Sequence, residues 1–369
     1  MRIPFLSLAG QHEAIKDEVL GALANVYDRQ SFVLGEQVAA FEREYSQVSG
    51  VAYTVGVGNG LDALHLSLRA LGLQPGDEVL VPSNTYIATW LAVSLAGGVP
   101  VPVEPDWRTS NLDAAQLAAA ITSRTRGIIP VHLYGQPCDM SAILALAARH
   151  SLWVMEDNAQ AQGASWHGQP TGSFGQVNAT SFYPSKNLGA LGDGGAITTN
   201  DAVLAHTVRQ LRNYGTERRY VSETIGYNSR LDELQAAVLR VKLHHLPEWT
   251  RQRRELADRY TAYLADIPGL RLPFVVAGAT PVWHLYVVHT PWRDALQQHL
   301  AAAGIESLVH YPVPPHLQPA YAGLGLPAGA FPIAEELATT CLSLPLWPGM
   351  TEAMIENVAT VIKDFYHHQ

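Results

Sequence analysis

A lysine and an acid, about thirty positions apart, define the chemistry that this sequence can carry. Lys186 lies in the segment SFYPSKNLG at residues 181–189, and Asp157 lies in EDNAQ at residues 156–160. Small, aromatic and amide neighbours suit a lysine that acts through its amine rather than as a solvated charge. A deprotonated amine forms a Schiff base with an aldehyde cofactor, and an upstream acid can keep a pyridine nitrogen protonated. The pair predicts an enzyme that depends on pyridoxal 5′-phosphate (PLP).

The segment around Asp157 is predicted to end a strand that covers residues 152–155. In open α/β sheets, ligands lie at the carboxyl ends of the strands. Gln160, three residues further on, can reach the phenolic oxygen of the cofactor. A helix cap after a strand is the alternative interpretation of Asp157, and Lys186 downstream favours the functional one.

Further segments supply groups for a phosphate and a flat ring. The letters NGLDAL at residues 59–64 place small residues before a predicted helix, whose first N–H groups and dipole favour a phosphate. Ser181 can add a hydroxyl group to the same phosphate. Tyr86 follows another predicted strand and can stack on a cofactor ring, although a core tyrosine is the alternative.

Polar residues beyond these segments are candidates for substrate contacts. The proline-restrained segment HYPVPPH at residues 310–316 can present its aromatic and histidine side chains. In a chain with 15 histidines, a structural role is the alternative for each, and a metal site is not predicted because no helical His pair or Cys cluster accompanies them. Arg218 and Arg219, close to Tyr214, are either a solvated basic patch or a clamp for phosphate.

Composition limits the class of protein. The chain has 369 residues, 47% hydrophobic and 15% charged, with a net charge of −9 that argues against nucleic-acid binding. Cys138 and Cys341 are too few for a disulfide framework, and no apolar run reaches the roughly 18 residues of a membrane span. Early polar residues argue against a signal peptide, so we expect a cytoplasmic enzyme away from membranes.

The elements that must position these residues alternate between strand and helix. Short apolar runs and amphipathic segments at residues 50–250 predict an α/β domain with a mostly parallel sheet. Two helices are expected on either side of Pro247, at 232–246 and 248–265. We predict an N-terminal arm and a large domain over residues 1–250, and a smaller α+β domain over 251–369.

With these segments in place, the chain resembles the DegT/DnrJ/EryC1/StrS family of sugar aminotransferases over its whole length. The most specific matches are VHLYG at 131–135 and the segments at 156–163, 181–195 and 226–237. The resemblance implies PLP fold type I, the aspartate aminotransferase fold. It implies roles by matching position: Lys186 bonds the cofactor, Asp157 pairs with its ring nitrogen, and the remaining contacts are Gln160 at O3′, Ser181 at the phosphate, Tyr86 on the ring and Asn228 at the phosphate from a neighbouring subunit.

Two positions depart from the family pattern. Many relatives have threonine where this chain has Leu61, so backbone N–H groups at Gly60 and Leu61 must bind the phosphate without that hydroxyl. Gln162 replaces a histidine that is common in the family. The implied assembly is a homodimer with shared active sites.

The resemblance also implies a reaction. L-glutamate donates its amino group, and a nucleotide-linked keto-sugar accepts it, with C3 of a dTDP-3-keto-6-deoxyhexose indicated by the NGLDAL form. Residues expected to contact the nucleotide sugar are Tyr183, Tyr214, Arg218, Arg219, His310, Tyr311 and His316. The alternatives are a C4-specific aminotransferase, a PLP-dependent sugar dehydratase, which carries histidine in place of the lysine, and a PLP-binding regulator without turnover.

Overall fold

A computed structural model describes residues 2–218 and 220–367 of the chain. The helices are α1 (Ala9–Ala14), α2 (Lys16–Arg29), α3 (Glu36–Ser49), α4 (Gly60–Ala70), α5 (Ala88–Leu95), α6 (Ala114–Ala120), α7 (Met140–His150), α8 (Ala202–Leu211), α9 (Glu233–Leu264), α10 (Arg293–Ala302), α11 (Pro332–Thr340) and α12 (Glu352–His367). The strands are β1 (Tyr53–Val57), β2 (Glu78–Pro82), β3 (Val99–Val103), β4 (Thr125–Ile128), β5 (Trp153–Asp157), β6 (Ser165–Trp166), β7 (Gln169–Pro170), β8 (Val177–Ser181), β9 (Gly195–Thr199), β10 (Thr216–Arg218), β11 (Val221–Ser222), β12 (Ala279–Thr280), β13 (Tyr286–His289) and β14 (Cys341–Leu344).

The large sheet has seven strands in the order β1-β9-β8-β5-β4-β2-β3. Neighbouring strands from β8 to β3 pair in parallel, whereas β9 is antiparallel to both β1 and β8. Strand β1 therefore points in the same direction as β8, and six strands end at one edge of the sheet. The predicted α/β class and mostly parallel sheet are confirmed.

The sheet is covered on both faces because its strands are apolar on both faces. In β2, Val79 and Val81 pack with the core that α4, α5 and α8 cover, and Leu80 packs with the core that α6 and α7 cover. Every residue of β2 is buried. This pattern is typical of a parallel strand between two helical layers. The buried sheet is therefore a rigid support for the loops that leave its strands at one edge.

A third core belongs to the C-terminal part of the chain. It combines the second half of α9 with β13, β14, α10 and α12, and Ile3 of the N-terminal arm joins it. The predicted division at residue 250 stays a prediction, since α9 passes through that position. In the described ranges, no helix is both long and apolar enough to cross a membrane.

The expected break at Pro247 is wrong, because α9 is a single helix of 32 residues with Pro247 inside it. A proline removes one helical hydrogen bond and costs about 3 kcal/mol. Packing on both sides outweighs that cost: α9 contacts α2 and α3 along the large domain and α12 beyond it. Leu246 and Trp249 are buried on the two sides of the proline.

Candidate active site

The carboxyl ends of the co-directional strands bring the predicted site residues to one edge. Strand β1 leads into Gly60, β2 into Tyr86, and β8 into the segment that carries Lys186, while Asp157 is the last residue of β5. Because these strands point the same way, residues far apart in the sequence become neighbours in space. The site is therefore assembled by topology rather than by any single segment.

The first group at this edge is a cradle at the N-terminus of α4. Asn59 caps the helix by accepting the Asp62 N–H at 2.8 Å, and the hydrogen bonds of the described residues leave the Gly60 and Leu61 N–H groups without an acceptor. A Cβ atom at Gly60 would lie 2.6 Å from Cβ of Ser181, so only glycine allows this close approach. Two free N–H groups and a hydroxyl at a helix N-terminus make a site for a phosphate.

Gln162 positions the Ser181 side of the cradle. Its Nε2 donates to the Ser181 carbonyl at 2.7 Å and to Thr180 Oγ1 at 3.1 Å, and the side chain is 1% exposed. Its Oε1 is buried and has no partner within the described residues. The sequence analysis noted Gln162 only as a departure from the family pattern, whereas the structure gives it a supporting role under Ser181.

Asp157 is a buried carboxylate held from two sides. Oδ2 accepts the Thr89 hydroxyl at 2.9 Å, and Oδ1 accepts the Ala159 N–H at 3.1 Å. Burial raises the pKa of Asp157 above its usual range, while these hydrogen bonds and the charge of Lys186 oppose the rise. Thr89, in the first turn of α5 and three residues after Tyr86, is a partner that no sequence pattern indicated.

Lys186 lies close enough to Asp157 for the two charges to interact. Burial lowers the pKa of Lys186 to about 8, and the charge of Asp157 opposes that shift. Its amine makes no ion pair or hydrogen bond with a described residue, and the Lys186 N–H donates to the Tyr183 carbonyl at 2.8 Å. An unpaired amine with a pKa near neutrality is a nucleophile and a proton carrier.

Gln160 connects two aromatic residues at the same edge. Its Oε1 accepts the Tyr134 N–H at 2.7 Å, and its Nε2 donates to the Tyr311 hydroxyl at 3.1 Å. The second N–H of Nε2 keeps no acceptor among the described residues. Tyr86 lies against Tyr311 with ring centroids 5.2 Å apart, and 54% of Tyr86 is exposed.

These features fit PLP at this edge. The cradle between Gly60, Leu61 and Ser181 suits its phosphate, and the buried Asp157 lacks a cationic hydrogen-bond partner that a protonated ring nitrogen would supply. The unpaired amine of Lys186 suits its aldehyde. The observation that carries this fit is the buried Asp157, whose pKa stays raised despite its hydrogen bonds, beside a lysine whose pKa burial lowers.

Of the predicted substrate residues, the structure places three around Lys186. His310 Nδ1 lies 2.8 Å from Ser343 Oγ, and burial and the charge of Lys186 lower its pKa to about 4. Tyr311 contacts Gln160, and Tyr183 is 55% exposed next to the lysine loop. Of these three, His310 lies close enough to Lys186 to interact with its charge, and Tyr183 contacts Lys186 through its backbone carbonyl.

The structure directs His316 elsewhere. Its ring is 2% exposed, its Nε2 lies 3.0 Å from Glu335 Oε1, and it packs edge-on against Phe331. A side chain enclosed in this way has no free surface for a sugar. The prediction that His316 contacts substrate does not agree with this position, and a structural role at α11 accounts for the residue.

The remaining candidates lie on a surface segment that runs from α8 towards α9. Tyr214 is 51% exposed under the Arg230 guanidinium, and Arg218 in β10 lies 3.6 Å from Glu223 at the surface. Arg219 lies outside the described residues. Asn228 is exposed and pairs with Asn213 through a backbone bridge.

Ser229, which the sequence analysis did not single out, connects this segment to the cradle. Its hydroxyl accepts the Gly58 N–H at 3.0 Å and donates to Asp62 Oδ2 at 2.6 Å. The Asn228 backbone is thereby fixed near the start of α4. A serine in a loop carries no sequence signal for such a contact.

Known proteins match this chain over almost its whole length. A family model described as the DegT/DnrJ/EryC1/StrS aminotransferase family matches residues 13–363. The dTDP-3-amino-3,4,6-trideoxy-alpha-D-glucose transaminase of Streptomyces venezuelae is 49% identical over 364 residues, which cover 99% of this chain and 96% of that protein.

Solved structures agree with that match. The crystal structure of S. venezuelae DesV in complex with a ketimine intermediate has a TM-score of 0.97 and 49% identity, and the match covers 99% of this chain and 98% of that one. The structure of NtdA from Bacillus subtilis with bound cofactor PMP has a TM-score of 0.90 and 32% identity, covering 98% of this chain and 85% of that one.

Proposed function

The chain belongs to the DegT/DnrJ/EryC1/StrS aminotransferase family, and from that membership we propose that it moves an amino group from L-glutamate to C3 of a nucleotide-linked keto-sugar. The acceptor is a dTDP-3-keto-6-deoxyhexose. The observation that carries the proposal is the Lys186–Asp157 pair at the carboxyl edge of the sheet, in a chain 49% identical to a dTDP-3-amino-sugar transaminase. PLP is the cofactor, and when bound it supplies an aldehyde that accepts an amine and a protonated ring that withdraws electrons.

The residues at the sheet edge would hold the two ends of the cofactor. The Gly60 and Leu61 N–H groups and the Ser181 hydroxyl would bind the phosphate, and the Asp157 carboxylate would hold the proton of the ring nitrogen. Thr89 and the Ala159 N–H keep that carboxylate oriented. Tyr86 would cover one face of the ring, and its place on the loop after β2 supports this role.

Lys186 carries the proton that transamination must move. Its amine, without an ion pair among the described residues and with a pKa of about 8, would take the proton from the carbon that bears the donor's amino group and deliver it to the former aldehyde carbon of the cofactor. In the second half of the reaction it would move a proton in the opposite direction, towards the sugar. A group whose pKa lies near the working pH can do both, and the same amine would bond the cofactor between reactions.

The sugar lies in front of the amine, bordered by Tyr183, His310 and Tyr311. C3, rather than C4, must approach the amine, so the register of the hexose along these side chains decides which ketone reacts. Arg218 and Arg219 would neutralise the diphosphate, since guanidinium groups bind phosphate oxygens well. The C3 choice rests on the NGLDAL segment and on the relative named for a 3-amino sugar.

The active enzyme is proposed to be a homodimer whose sites are shared. Asn228 is exposed near the start of α4. Several apolar side chains are also exposed, among them Phe32 (46%), Val33 (51%) and Ile225 (84%). A two-fold interface exchanges identical patches, so each Asn228 would serve the partner's phosphate. Burial of the apolar residues in that interface would favour assembly.

The proposal is tested with 3-keto and 4-keto dTDP-hexoses offered separately, each with L-glutamate, while 2-oxoglutarate release is followed. We expect turnover of the 3-keto compound and little of the 4-keto compound. Turnover of the 4-keto compound alone would contradict the C3 assignment. Loss of a hydroxyl from the sugar without 2-oxoglutarate release would identify a dehydratase, and failure with every nucleotide sugar would overturn the substrate class.

A further inference from the structure

A pocket of about 50 Å³ opens beside the loop that carries Lys186 and is lined by basic groups. Its polar walls are Ser185, Arg253, His284 and His310, and apolar residues such as Leu344 and Leu346 complete it. Among the described residues, no Asp or Glu lines this pocket. We call it the Arg253 pocket.

Arg253 is a buried cation without a carboxylate partner. It is 4% exposed, and its Nη1 donates to the carbonyls of Trp283 and Leu346, both at 3.1 Å. Its Nε and Nη2 donate to no described residue, and no ion pair involves it in the described ranges. Burial lowers the pKa of Arg253 to about 10. A buried charge is costly unless a counter-charge meets it.

Two histidines border the Arg253 pocket beside the guanidinium. His284 Nδ1 lies 3.2 Å from Asn187 Oδ1, and His310 Nδ1 lies 2.8 Å from Ser343 Oγ, so each Nε2 is unpartnered within the described part of the chain. Burial and the nearby charges of Lys186 and Arg253 lower the pKa of His284 well below its usual value. The pKa of His310 is lowered in the same way, to about 4, so both histidines are uncharged near pH 7 and Arg253 is the cation that a bound anion would meet in this pocket.

We infer that the Arg253 pocket binds a carboxylate of the amino-acid donor. This inference rests on the proposed function, because a donor amino acid must bring its amine to Lys186 and its carboxylate needs a cation there. The cradle at α4 and Asp157 serve the cofactor, whereas Arg253 lines a pocket beside the lysine loop and has no carboxylate partner in the described ranges. A guanidinium offers paired donors in a fork that matches a carboxylate.

The test measures binding of glutarate, an unreactive dicarboxylate, to the holoenzyme by calorimetry. We expect Arg253→Lys to weaken glutarate roughly ten- to hundredfold, because a lysine cannot reproduce the fork. Arg254→Lys is the matched control: its Nε donates to the Pro281 carbonyl at 2.9 Å and it does not line the pocket. That variant should keep the wild-type affinity.

Kinetics separate the donor from the sugar. Arg253→Lys should raise KM for L-glutamate at least tenfold and leave KM for the keto-sugar unchanged. If KM for L-alanine rises as much as KM for L-glutamate, the α-carboxylate occupies the pocket. If only KM for L-glutamate rises, the side-chain carboxylate occupies it.

Thermal unfolding and cofactor content show whether the Arg253→Lys variant is folded. If it is not, the test uses His310→Gln, on the less buried side of the pocket. We expect that variant to lose glutarate affinity severalfold. Wild-type protein that does not bind glutarate, or a folded variant that binds it unchanged, would overturn the inference. If no nucleotide keto-sugar sustains the release of 2-oxoglutarate from L-glutamate, the proposed function is wrong instead. The two failures are therefore distinguishable.

Discussion

At the scale of single residues, the site depends on an amine and a carboxylate whose ordinary protonation is changed by burial. Burial lowers the pKa of Lys186 to about 8 and raises that of Asp157, and each charge partly offsets the shift of the other. The amine is therefore available as a free base at a pH where exposed lysines are protonated. Predictions at this scale concern these two groups.

Lys186 should carry the cofactor. Borohydride should fix it covalently, and mass spectrometry of the digest should place the adduct on Lys186. In protein stripped of cofactor, acetylation of Lys186 should increase as the pH rises through about 8, since the free amine is the reactive form. In urea the midpoint should move to about 10.4, the value of an exposed lysine. An adduct on another lysine would refute this assignment.

Asp157→Asn tests the partner of the ring nitrogen. The amide cannot hold the ring proton by charge, so we expect kcat to fall by roughly a hundredfold or more while the lysine adduct still forms. Thr89→Val is the milder comparison, because it removes only one hydrogen bond to the same carboxylate. We expect it to lower kcat less than Asp157→Asn does. Equal activity of Asp157→Asn and wild type would show that the carboxylate has no such role.

The sequence indicates the reactive residues better than their supports. Lys186 and Asp157 stand out because of their spacing and neighbours. The segment EDNAQ alone does not show why Asp157, rather than its neighbour Glu156, is the partner of the ring nitrogen. In the structure, adjacent residues of β5 face opposite sides, and Glu156 accepts the N–H groups of Gly172 and Phe174 as a buried anchor. Thr89 and Arg253 could not be found in this way, because their contacts join segments that are distant in the sequence.

At the scale of elements, strand direction does most of the assembly. Six strands of the large sheet end at one edge, and that arrangement follows from short apolar runs separated by helices, which the sequence displays. The antiparallel β9 and the continuity of α9 through Pro247 are different, since both depend on tertiary packing. Local propensity alone argues against a helix at Pro247.

A buried carboxylate joins two elements of this framework. Glu233, the first residue of α9, accepts the N–H groups of Gly35, Gln37 and Val38 at 2.8 to 2.9 Å and so caps the start of α3. Glu233→Gln places an amide against these donors and should lower the free energy of unfolding by about 2–4 kcal/mol.

The measurement is chemical denaturation of the holoenzyme, with Glu36→Gln as the comparison. Glu36 lies at the same end of α3 but is an exposed partner of Arg29, so its loss should cost less than about 1 kcal/mol. Equal losses for the two variants would argue against a special role of the Glu233 cap.

At the scale of the whole molecule, the account requires a second copy of the chain. Asn228 lies exposed on the segment that Ser229 connects to the start of α4, and apolar side chains such as Phe32, Val33 and Ile225 are exposed on the single chain. The dimer and a cytoplasmic location remain predictions. Interfaces of this kind cannot be deduced from composition, because exposed apolar residues occur singly on most surfaces.

Hybrid dimers test this requirement. Lys186→Ala and Asn228→Ala should each be inactive or strongly impaired, and mixing the two after dissociation should restore part of the activity, because one site of the hybrid keeps both groups intact. Each variant mixed with itself is the control. A fully active Asn228→Ala protein, or an active species that sediments as a monomer, would contradict a shared site.

The central claim is that the enzyme transfers nitrogen from L-glutamate to the sugar with Lys186 as its proton carrier, and the most direct measurement follows that nitrogen. The holoenzyme is incubated with ¹⁵N-labelled L-glutamate and a dTDP-3-keto-6-deoxyhexose, and the nucleotide sugar is analysed by mass spectrometry and NMR. The account predicts ¹⁵N bonded to C3, one 2-oxoglutarate for each labelled sugar, and no label with Lys186→Ala. A nucleotide sugar that gains no ¹⁵N, or one that gains it equally with Lys186→Ala, would contradict the account.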